Sequence, residues 1–210
     1  LAEIFRHRFA GRAVVLAAST RPGEEQMLLR AWTGAERGTA LLIIVPRHPQ
    51  RFDEVAELIR QAGLTCQRRS AEAAVASGTQ VWLGDSMGEM FAFHAAADLS
   101  FIGGSLLDFG SQNLIEAAAC GTPILIGPFT VTPYRVNHPV EAYGYRVEAG
   151  GALLAYTGDT DDCPNLDPLL RGVDLALMDS AFIDGRDDVV DIHFATVTLA
   201  LERAGALPRA

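Results

Sequence analysis

Buried-strand and helix patterns alternate through the first 130 residues of the chain. Continuous apolar runs at 13–19 and 40–45 are typical of strands that are buried on both faces of a parallel sheet. Apolar residues recur at helical spacing over 23–32 and 52–63, and Gly63 is suited to end the second of these helices. The same reasoning predicts further strands and helices: strands at 64–69, 81–84, 99–102 and 124–126, and helices at 87–97 and 113–120.

This alternation predicts an α/β protein in which residues 1–130 form a Rossmann-like, doubly wound parallel sheet, continued by a mixed β/α segment over 131–210. In the second region, paired strands are predicted at 136–147 and 153–157, joined by a turn at Gly150-Gly151. A strand at 173–178 and a helix at 191–204, ended by Gly205, follow them. No low-complexity linker separates the two domains, so their boundary depends on the change of pattern alone.

Composition and charge narrow the class of protein. Hydrophobic residues make up 49% of the 210-residue chain and charged residues 20%, which is typical of a folded globular protein. The formal net charge of −9 argues against a nucleic-acid partner. Three cysteines without a CxxC pair fit the reducing cytoplasm, where we expect the protein to be located. The chain begins at Leu1 in the middle of an apolar pattern, so we expect it to be part of a longer protein.

Polar loops follow the predicted strands and carry the candidate chemistry of the first region. They are the segments 19–21, 46–49, 84–89 and 103–105, together with a helix start at 112–116. Glycine-rich loops before a helix present backbone N–H groups to a phosphate, and an arginine such as Arg47 pairs with phosphate oxygens as a fork. Any one of these loops is also an ordinary turn. Five of them at one edge of a sheet favour a nucleotide site.

Several successive motifs in the first region carry a resemblance to a known family. The segments VVLAAST, VPRHPQRF, GDSMGEMFAFHAAADLSFIGGSL and GSQNLIEAAACGTPILIGPFT stand in this order along the chain. They resemble the C-terminal, donor-binding domain of bacterial 3-deoxy-D-manno-octulosonic acid (Kdo) transferases. The resemblance implies the second Rossmann-like half of a GT-B glycosyltransferase, which uses CMP-Kdo as donor and the lipid A precursor as acceptor. It implies no cofactor.

The same resemblance implies which residues contact CMP or a CMP-sugar. Ser19, Arg47 and His48 are expected to face the donor phosphate and sugar. Residues 87–89 are expected to hold the cytidine, and Asn113 and Glu116 the ribose and phosphate side. Ten residues make up this expected site: Ser19, Arg47, His48, Met87, Gly88, Glu89, Gly104, Ser105, Asn113 and Glu116.

The resemblance also implies what this chain lacks. In the Kdo transferase family an N-terminal domain supplies the catalytic base and the lipid-acceptor surface. We expect that the chain lacks this acceptor domain, and the helix that follows the GPFT motif in the family is also missing from its sequence. The sequence therefore predicts a donor-binding part of a Kdo transferase that is not catalytic by itself, and we assign no catalytic residue.

A second group of candidate residues lies after residue 130. His138 and Asp159 are placed near the ends of predicted strands, where they are suitable ligands for Zn²⁺ or Mn²⁺. Two ligands do not complete a zinc site, which takes three or four. Taken alone, Gly158-Asp159 is also an ordinary turn after a strand, and His138 is also an ordinary loop residue before a proline.

The segments VNHPVEAYGYRVEAGGALLAYTGDTDDC, LLRGVDLALMDSAF and IHFATVTLALERAG surround these residues. They resemble the C-terminal half of the metallo-β-lactamase fold, closest to its ribonuclease Z and phosphodiesterase-like branch. The resemblance implies that His138 and Asp159 are metal ligands and that His193 assists catalysis. The HxHxDH motif of that family does not occur in this sequence, so we do not expect dinuclear hydrolysis.

Three functional hypotheses remain open at this point. The chain is a CMP-Kdo-binding domain, a fragment of a metal-dependent phosphodiesterase, or a catalytically silent chimera of two halves. In each case a sheet edge or an apolar face has lost the partner it has in the parental fold. Such surfaces promote pairing between chains, so we expect self-association.

Overall fold

The computed structural model describes residues 1–178, which divide between two compact units. The first unit is Leu1–Gly127, and the second begins at Pro128. The candidate residue His193 and the helix predicted at 191–204, with its stop at Gly205, lie outside the described residues. The assignment of separate functional domains to 1–130 and 131–210 stays a prediction.

Residues 1–127 contain a parallel sheet whose strands are β1 Val14–Thr20, β2 Leu41–Pro46, β3 Cys66–Arg68, β4 Val81–Leu83, β5 Leu99–Ile102 and β6 Ile124–Ile126. They lie in the order β6-β5-β1-β2-β4-β3, and each neighbouring pair is parallel. The chain passes from β1 to β2 on one side, whereas β5 and β6 lie on the other. The strand order therefore reverses beside β1, which is where doubly wound sheets bind their ligands.

The helices of this unit are α1 Ala2–Arg8, α2 Glu24–Gly34, α3 Phe52–Gln61, α4 Met90–Ala96 and α5 Ile115–Ala119. Helices α2 and α3 bury Leu29, Val55 and Ile59 against strand residues that include Leu42 and Ile44. Each fully buried aliphatic side chain of this kind contributes about 1.5–3 kcal/mol relative to an exposed one. No helix within residues 1–178 is long and apolar enough to cross a membrane.

An aromatic cluster explains α1, a helix that the sequence analysis does not predict. Phe5 of α1 and Phe9, which directly follows the helix, are at most 1% exposed. The Phe5 ring centroid lies 5.2 Å from that of Trp82 and 5.0 Å from that of Phe93. A helix of seven residues is too short to be stable in isolation, so its stability comes from this packing.

The second unit contains strands that run in mixed directions. Its strands are β7 Phe129–Arg135, β8 Tyr143–Ala149, β9 Ala152–Tyr156 and β10 Leu175–Leu177, accompanied by helix α6 Leu166–Leu170. β8 pairs antiparallel with β7 and with β9, whereas β10 runs parallel to β9. The three leucines of α6 are buried in one cluster with Val136 and Ala155.

The structure confirms the predicted strand and helix alternation of the first unit, with ends that differ by up to three residues. In the second unit the turn at Gly150-Gly151 joins β8 to β9 as predicted. The strand predicted at 136–147 is wrong in its first half, because residues 136–142 form a loop around Pro139, which has no N–H for a ladder. The sequence pattern does not predict strand β7, because Pro133 interrupts its run of strand-forming residues. In the structure Pro133 lies within β7, opposite Tyr145 of β8.

Candidate functional site

A cleft of about 300 Å³ opens in the first unit beyond the carboxyl ends of β1 and β2. Its walls come from the ends of these two strands, the loop that leads into α4, and the polar segment that leads into α5. This is the edge of the sheet at which the sequence predicts a ligand, and the cleft lies beside the point where the strand order reverses.

Seven of the ten residues predicted to bind a donor line this cleft: Ser19, Arg47, Met87, Gly88, Glu89, Asn113 and Glu116. The other three are not part of its lining. His48 Nε2 lies 2.9 Å from Arg21 Nη1, and the Ser105 hydroxyl donates to the Ile102 carbonyl at 2.6 Å. The Gly104 amide donates to Glu24 at 2.7 Å. The fold therefore brings most of the predicted residues to one place, and their individual roles stay predictions.

Ser19 occupies a strained backbone position at the end of β1. Its φ of 54° lies in the left-handed region, which costs a residue other than glycine about 1–2 kcal/mol. The Gly103 amide donates to the Ala18 carbonyl at 2.8 Å, and a Cβ on Gly103 would stand 2.3 Å from the Ser19 carbonyl oxygen. The two loops therefore approach closely only because Gly103 has no side chain. Strain of this kind is concentrated at functional sites.

Arg47 follows directly on β2 and carries the positive charge of the cleft floor. Its backbone amide donates to the Thr20 carbonyl at 3.0 Å, which joins the end of β2 to that of β1. Its side-chain Nε donates to Gln112 Oε1 at 3.1 Å. Within residues 1–178 no other hydrogen bond engages this guanidinium, so its two terminal nitrogens present N–H donors to a ligand.

Asn113 and Glu116 reach the cleft from the start of α5. The Asn113 side-chain oxygen accepts a hydrogen bond from the Ile115 amide at 2.9 Å, which forms an Asx turn that leads into α5. Glu116 lies one residue into the helix and is half-buried. An amide nitrogen and a carboxylate placed together in this way can bond the hydroxyl groups of a sugar.

Glu89 lines the cleft, and its carboxylate also accepts hydrogen bonds from neighbouring side chains. Its carboxylate accepts both Arg69 Nε at 3.1 Å and Arg69 Nη2 at 2.9 Å, and also the Ser86 hydroxyl. The Arg69 guanidinium stands over the Phe5 ring, 5.2 Å from its centroid. These contacts fix the loop that carries Met87 and leave Glu89 fewer acceptor positions for a ligand.

Glu24, which the sequence analysis does not select, anchors one side of the site. Its side chain is completely buried and accepts the backbone N–H groups of Arg21 at 2.9 Å, Gly104 at 2.7 Å and Leu106 at 3.1 Å. A carboxylate in the first turn of a helix is usually a solvated partner of the helix dipole, so sequence gives no signal for this role. The Gly104 and Leu106 amides therefore bind a carboxylate of the protein itself, that of Glu24.

A buried ion pair fixes the strand end that carries Ser19. Arg51 Nη1 lies 2.6 Å from Glu25 Oε1, and that oxygen also accepts the Thr20 hydroxyl at 2.7 Å. Burial lowers the pKa of Arg51, but its hydrogen bonds to Glu54 and Glu25 outweigh that effect and raise the pKa above its ordinary value. Arg51 therefore stays charged, and the pair is structural.

His94, also missed from sequence, lies in the wall of the cleft on α4. It is 1% exposed, and its Nδ1 lies 2.9 Å from the Ser100 hydroxyl. Burial lowers its pKa to about 4, so the ring is neutral at pH 7. A lone histidine in a run of small apolar residues gives no sign in the sequence that it faces a cleft.

In the second unit the two predicted metal ligands lie side by side. His138 Nε2 is 3.3 Å from Asp159 Oδ2. Among residues 1–178 no group of three or more His, Cys, Asp or Glu side chains is placed to hold a metal ion. The described residues therefore bring together two predicted ligands and do not fit a complete zinc site, which takes three or four.

Two kinds of known protein are similar to this chain. A family model described as "Beta-lactamase superfamily domain" matches residues 110–209. The 3-deoxy-D-manno-octulosonic acid transferase of Bordetella pertussis is 46% identical over 126 residues, which are 57% of this chain and 29% of that protein. The Haemophilus influenzae transferase of the same name is 32% identical over 200 residues, which are 94% of this chain and 42% of its own length.

A solved structure gives the corresponding likeness for the fold. The C-terminal CMP-Kdo binding domain of WaaA from Acinetobacter baumannii superposes with a TM-score of 0.52 at 34% identity, over 59% of this chain and 70% of that one. The chain spans less than half the length of the two transferases.

Both predicted resemblances are therefore confirmed. The first region resembles the C-terminal domain of Kdo transferases, and the second resembles the metallo-β-lactamase fold. The α/β class of the first unit, with its parallel doubly wound sheet, is confirmed as well.

Proposed function

We propose that the first unit binds a CMP-linked sugar and that this sugar is CMP-Kdo. The observation that carries the proposal is the cleft at the reversal of strand order, where Ser19, Arg47, Asn113 and Glu116 meet. The likeness to a CMP-Kdo binding domain supports the choice of nucleotide and sugar. A chain with a net charge of −9 needs a local cation to hold an anionic donor, and Arg47 supplies one.

In this proposal each wall of the cleft contacts one part of the donor. The Arg47 guanidinium binds the phosphate, and Ser19 lies toward the phosphate and sugar. Met87, Gly88 and the loop held by Glu89 contact the cytidine. Asn113 and Glu116 contact the ribose and phosphate side, where their amide and carboxylate meet hydroxyl groups.

The transfer reaction itself is a wider proposal. The likeness to Kdo transferases supports a role in Kdo transfer to a lipid acceptor, at the cytoplasmic face of the inner membrane. We assign the donor-binding step to the cleft and no catalytic residue to this chain. In that view the acceptor surface and the catalytic base are contributed by another region of a transferase, and no cofactor takes part.

Calorimetric titration with CMP tests the binding proposal. Arg47→Ala and Glu116→Ala should each weaken CMP binding by about tenfold or more, because each removes a hydrogen-bonding group of the proposed site. Arg60→Ala is the matched control, since Arg60 is an exposed arginine on α3 that pairs with Glu57. Equal affinity in the wild type and the two cleft variants would remove the proposal.

A second candidate function rests on the His138–Asp159 pair, which is compatible with partial metal coordination. Equilibrium dialysis against Zn²⁺ or Mn²⁺ tests it, with His138→Ala and Asp159→Ala as variants and His7→Ala as an exposed control. Loss of bound metal in both variants but not in the control supports the metal site. If neither metal nor CMP binds, the chain is a folded chimera without either activity.

A further inference from the structure

We propose that Gln112 positions the Arg47 guanidinium for the donor phosphate, and that Glu24 holds the loop against which Gln112 lies. Neither residue is among those predicted from the sequence to contact the donor. The inference rests on the proposed CMP-sugar site, because it assigns the phosphate-binding part of that site a supporting framework.

The contact between the two side chains determines how Arg47 is presented. Arg47 Nε donates to Gln112 Oε1 at 3.1 Å. The guanidinium is planar, so a bond at Nε fixes the plane of the whole group and directs the terminal nitrogens away from Gln112. The two terminal nitrogens of the guanidinium can then donate hydrogen bonds to two phosphate oxygens at the same time. An arginine without this partner samples many rotamers, and binding has to restrict them.

Gln112 is fixed by its own backbone. Its amide donates to the Gly103 carbonyl at 3.0 Å, and the Gly103 amide donates to the Ala18 carbonyl at 2.8 Å. The position of Gln112 is therefore tied to the ends of β1 and β5, the two strands at which the order of the sheet reverses.

Glu24 determines the shape of the loop beneath Gln112. Its buried carboxylate accepts the amides of Gly104 and Leu106, which holds the chain in a tight turn. In that turn a Cβ on Gly104 would stand 3.2 Å from Gln112 Nε2 and 2.5 Å from the Gly110 carbonyl oxygen. The Gln112 side chain thus lies directly over Gly104, with its amide nitrogen toward the loop and its oxygen toward Arg47.

A neutral acceptor suits this position better than an acidic one. Glutamate at 112 would also accept from Arg47 Nε, but its charge would offset the charge that attracts the phosphate. Glutamine orients the guanidinium and leaves its full charge for the ligand. The consequence is specific: loss of Gln112 should weaken the phosphate contact and leave the nucleoside contact unchanged.

Titration of the whole chain with CMP and with cytidine separates these contacts. Gln112→Ala should weaken CMP binding by about tenfold and leave cytidine affinity unchanged, so that the preference for CMP over cytidine falls. Gln112→Glu should reduce the same preference, although it keeps the bond to Nε. Gln61→Ala is the matched control, because Gln61 is an exposed glutamine on α3 that bonds Glu57. A general structural defect would weaken both ligands alike.

A second measurement needs no ligand. The Arg47 Nε–H signal, assigned by its loss in Arg47→Ala, should shift and exchange faster with solvent in Gln112→Ala. If the wild type binds CMP and Arg47→Ala weakens it, but Gln112→Ala changes neither the CMP preference nor this signal, the inference is overturned and the binding proposal stands. If the wild type does not bind CMP, the binding proposal and the inference fall together.

Discussion

The Glu24 Oε2 atom lies 2.7 Å from the amide nitrogen of Gly104. This bond connects the first turn of α2 to the loop after β5, and the same carboxylate holds Leu106 and Arg21 through their amides. Among the described residues Glu24 forms no ion pair, so backbone N–H groups take the place of a cation. The buried Glu24 carboxylate therefore fixes the loop against which Gln112, a residue of the cleft lining, lies.

Substitution of Glu24 by glutamine tests that role. The amide group of Glu24→Gln must turn an N–H toward a backbone N–H, which leaves at least one buried donor without an acceptor. We expect the free energy of unfolding to fall by about 1–3 kcal/mol, measured by urea denaturation. Glu36→Gln, on an exposed residue, is the control and should change stability little. Equal stability of the two variants would contradict the account of Glu24.

Gly104→Ala tests the turn itself. Gly104 has a φ of 77°, and its Cβ would stand 2.5 Å from the Gly110 carbonyl oxygen. Gly63→Ala is a matched control, because Gly63 has a φ of 73° with nothing within 4 Å of its Cβ.

The left-handed backbone alone should cost the Gly63 variant about 1 kcal/mol. The Gly104 variant should lose more than the Gly63 variant in the same urea experiment, because the collision adds to the backbone cost. If the two variants lose the same amount, the close approach at Gly104 is not a real constraint.

The sequence predicts which residues lie at this edge of the sheet better than it predicts the hydrogen bonds between them. Apolar runs that end at Pro46 or in small polar residues mark the strand ends, so Arg47 and Ser19 could be placed at one edge of the sheet from pattern alone. Glu24 bonds Gly104 and Leu106, and Gln112 bonds Arg47, across many residues of the chain, and no local pattern encodes such contacts. Helix α1 was missed for the same reason, since its stability comes from packing against Trp82.

The buried Arg51–Glu25 pair gives a prediction about stability. Arg51→Met would leave the Glu25 carboxylate buried without its cation, which costs about 3–5 kcal/mol. Arg60→Met removes an exposed arginine from a pair with Glu57 and should cost little. Urea denaturation in low and in 1 M salt distinguishes them, because a buried pair is screened less. A small loss in Arg51→Met would show that water reaches Glu25.

His94 makes the stability of the first unit depend on pH. In the unfolded chain its pKa is about 6.5, whereas burial lowers the folded pKa to about 4. Between these values the unfolded chain binds a proton that the folded chain excludes. The free energy of unfolding therefore falls as pH decreases through this window, by an amount on the order of 2.5 kcal/mol at pH 4.5.

His94→Asn keeps an acceptor near Ser100 and removes the titrating ring. The difference in unfolding free energy between pH 7 and pH 4.5 should be smaller in this variant than in the wild type by that amount. His7→Asn changes an exposed histidine and should leave the difference as it is in the wild type. An identical pH dependence in all three proteins would mean that His94 is protonated as readily in the fold as in the unfolded chain.

The most direct test of the central claim is a map of where CMP binds. Backbone amide spectra of the ¹⁵N-labelled chain, recorded during a CMP titration, should show the largest shifts at Ser19, Arg47, Met87, Gly88 and Asn113. The account predicts that these shifts saturate together with one dissociation constant and disappear in Arg47→Ala. Shifts confined to the second unit, or none at millimolar CMP in a folded chain, would contradict it.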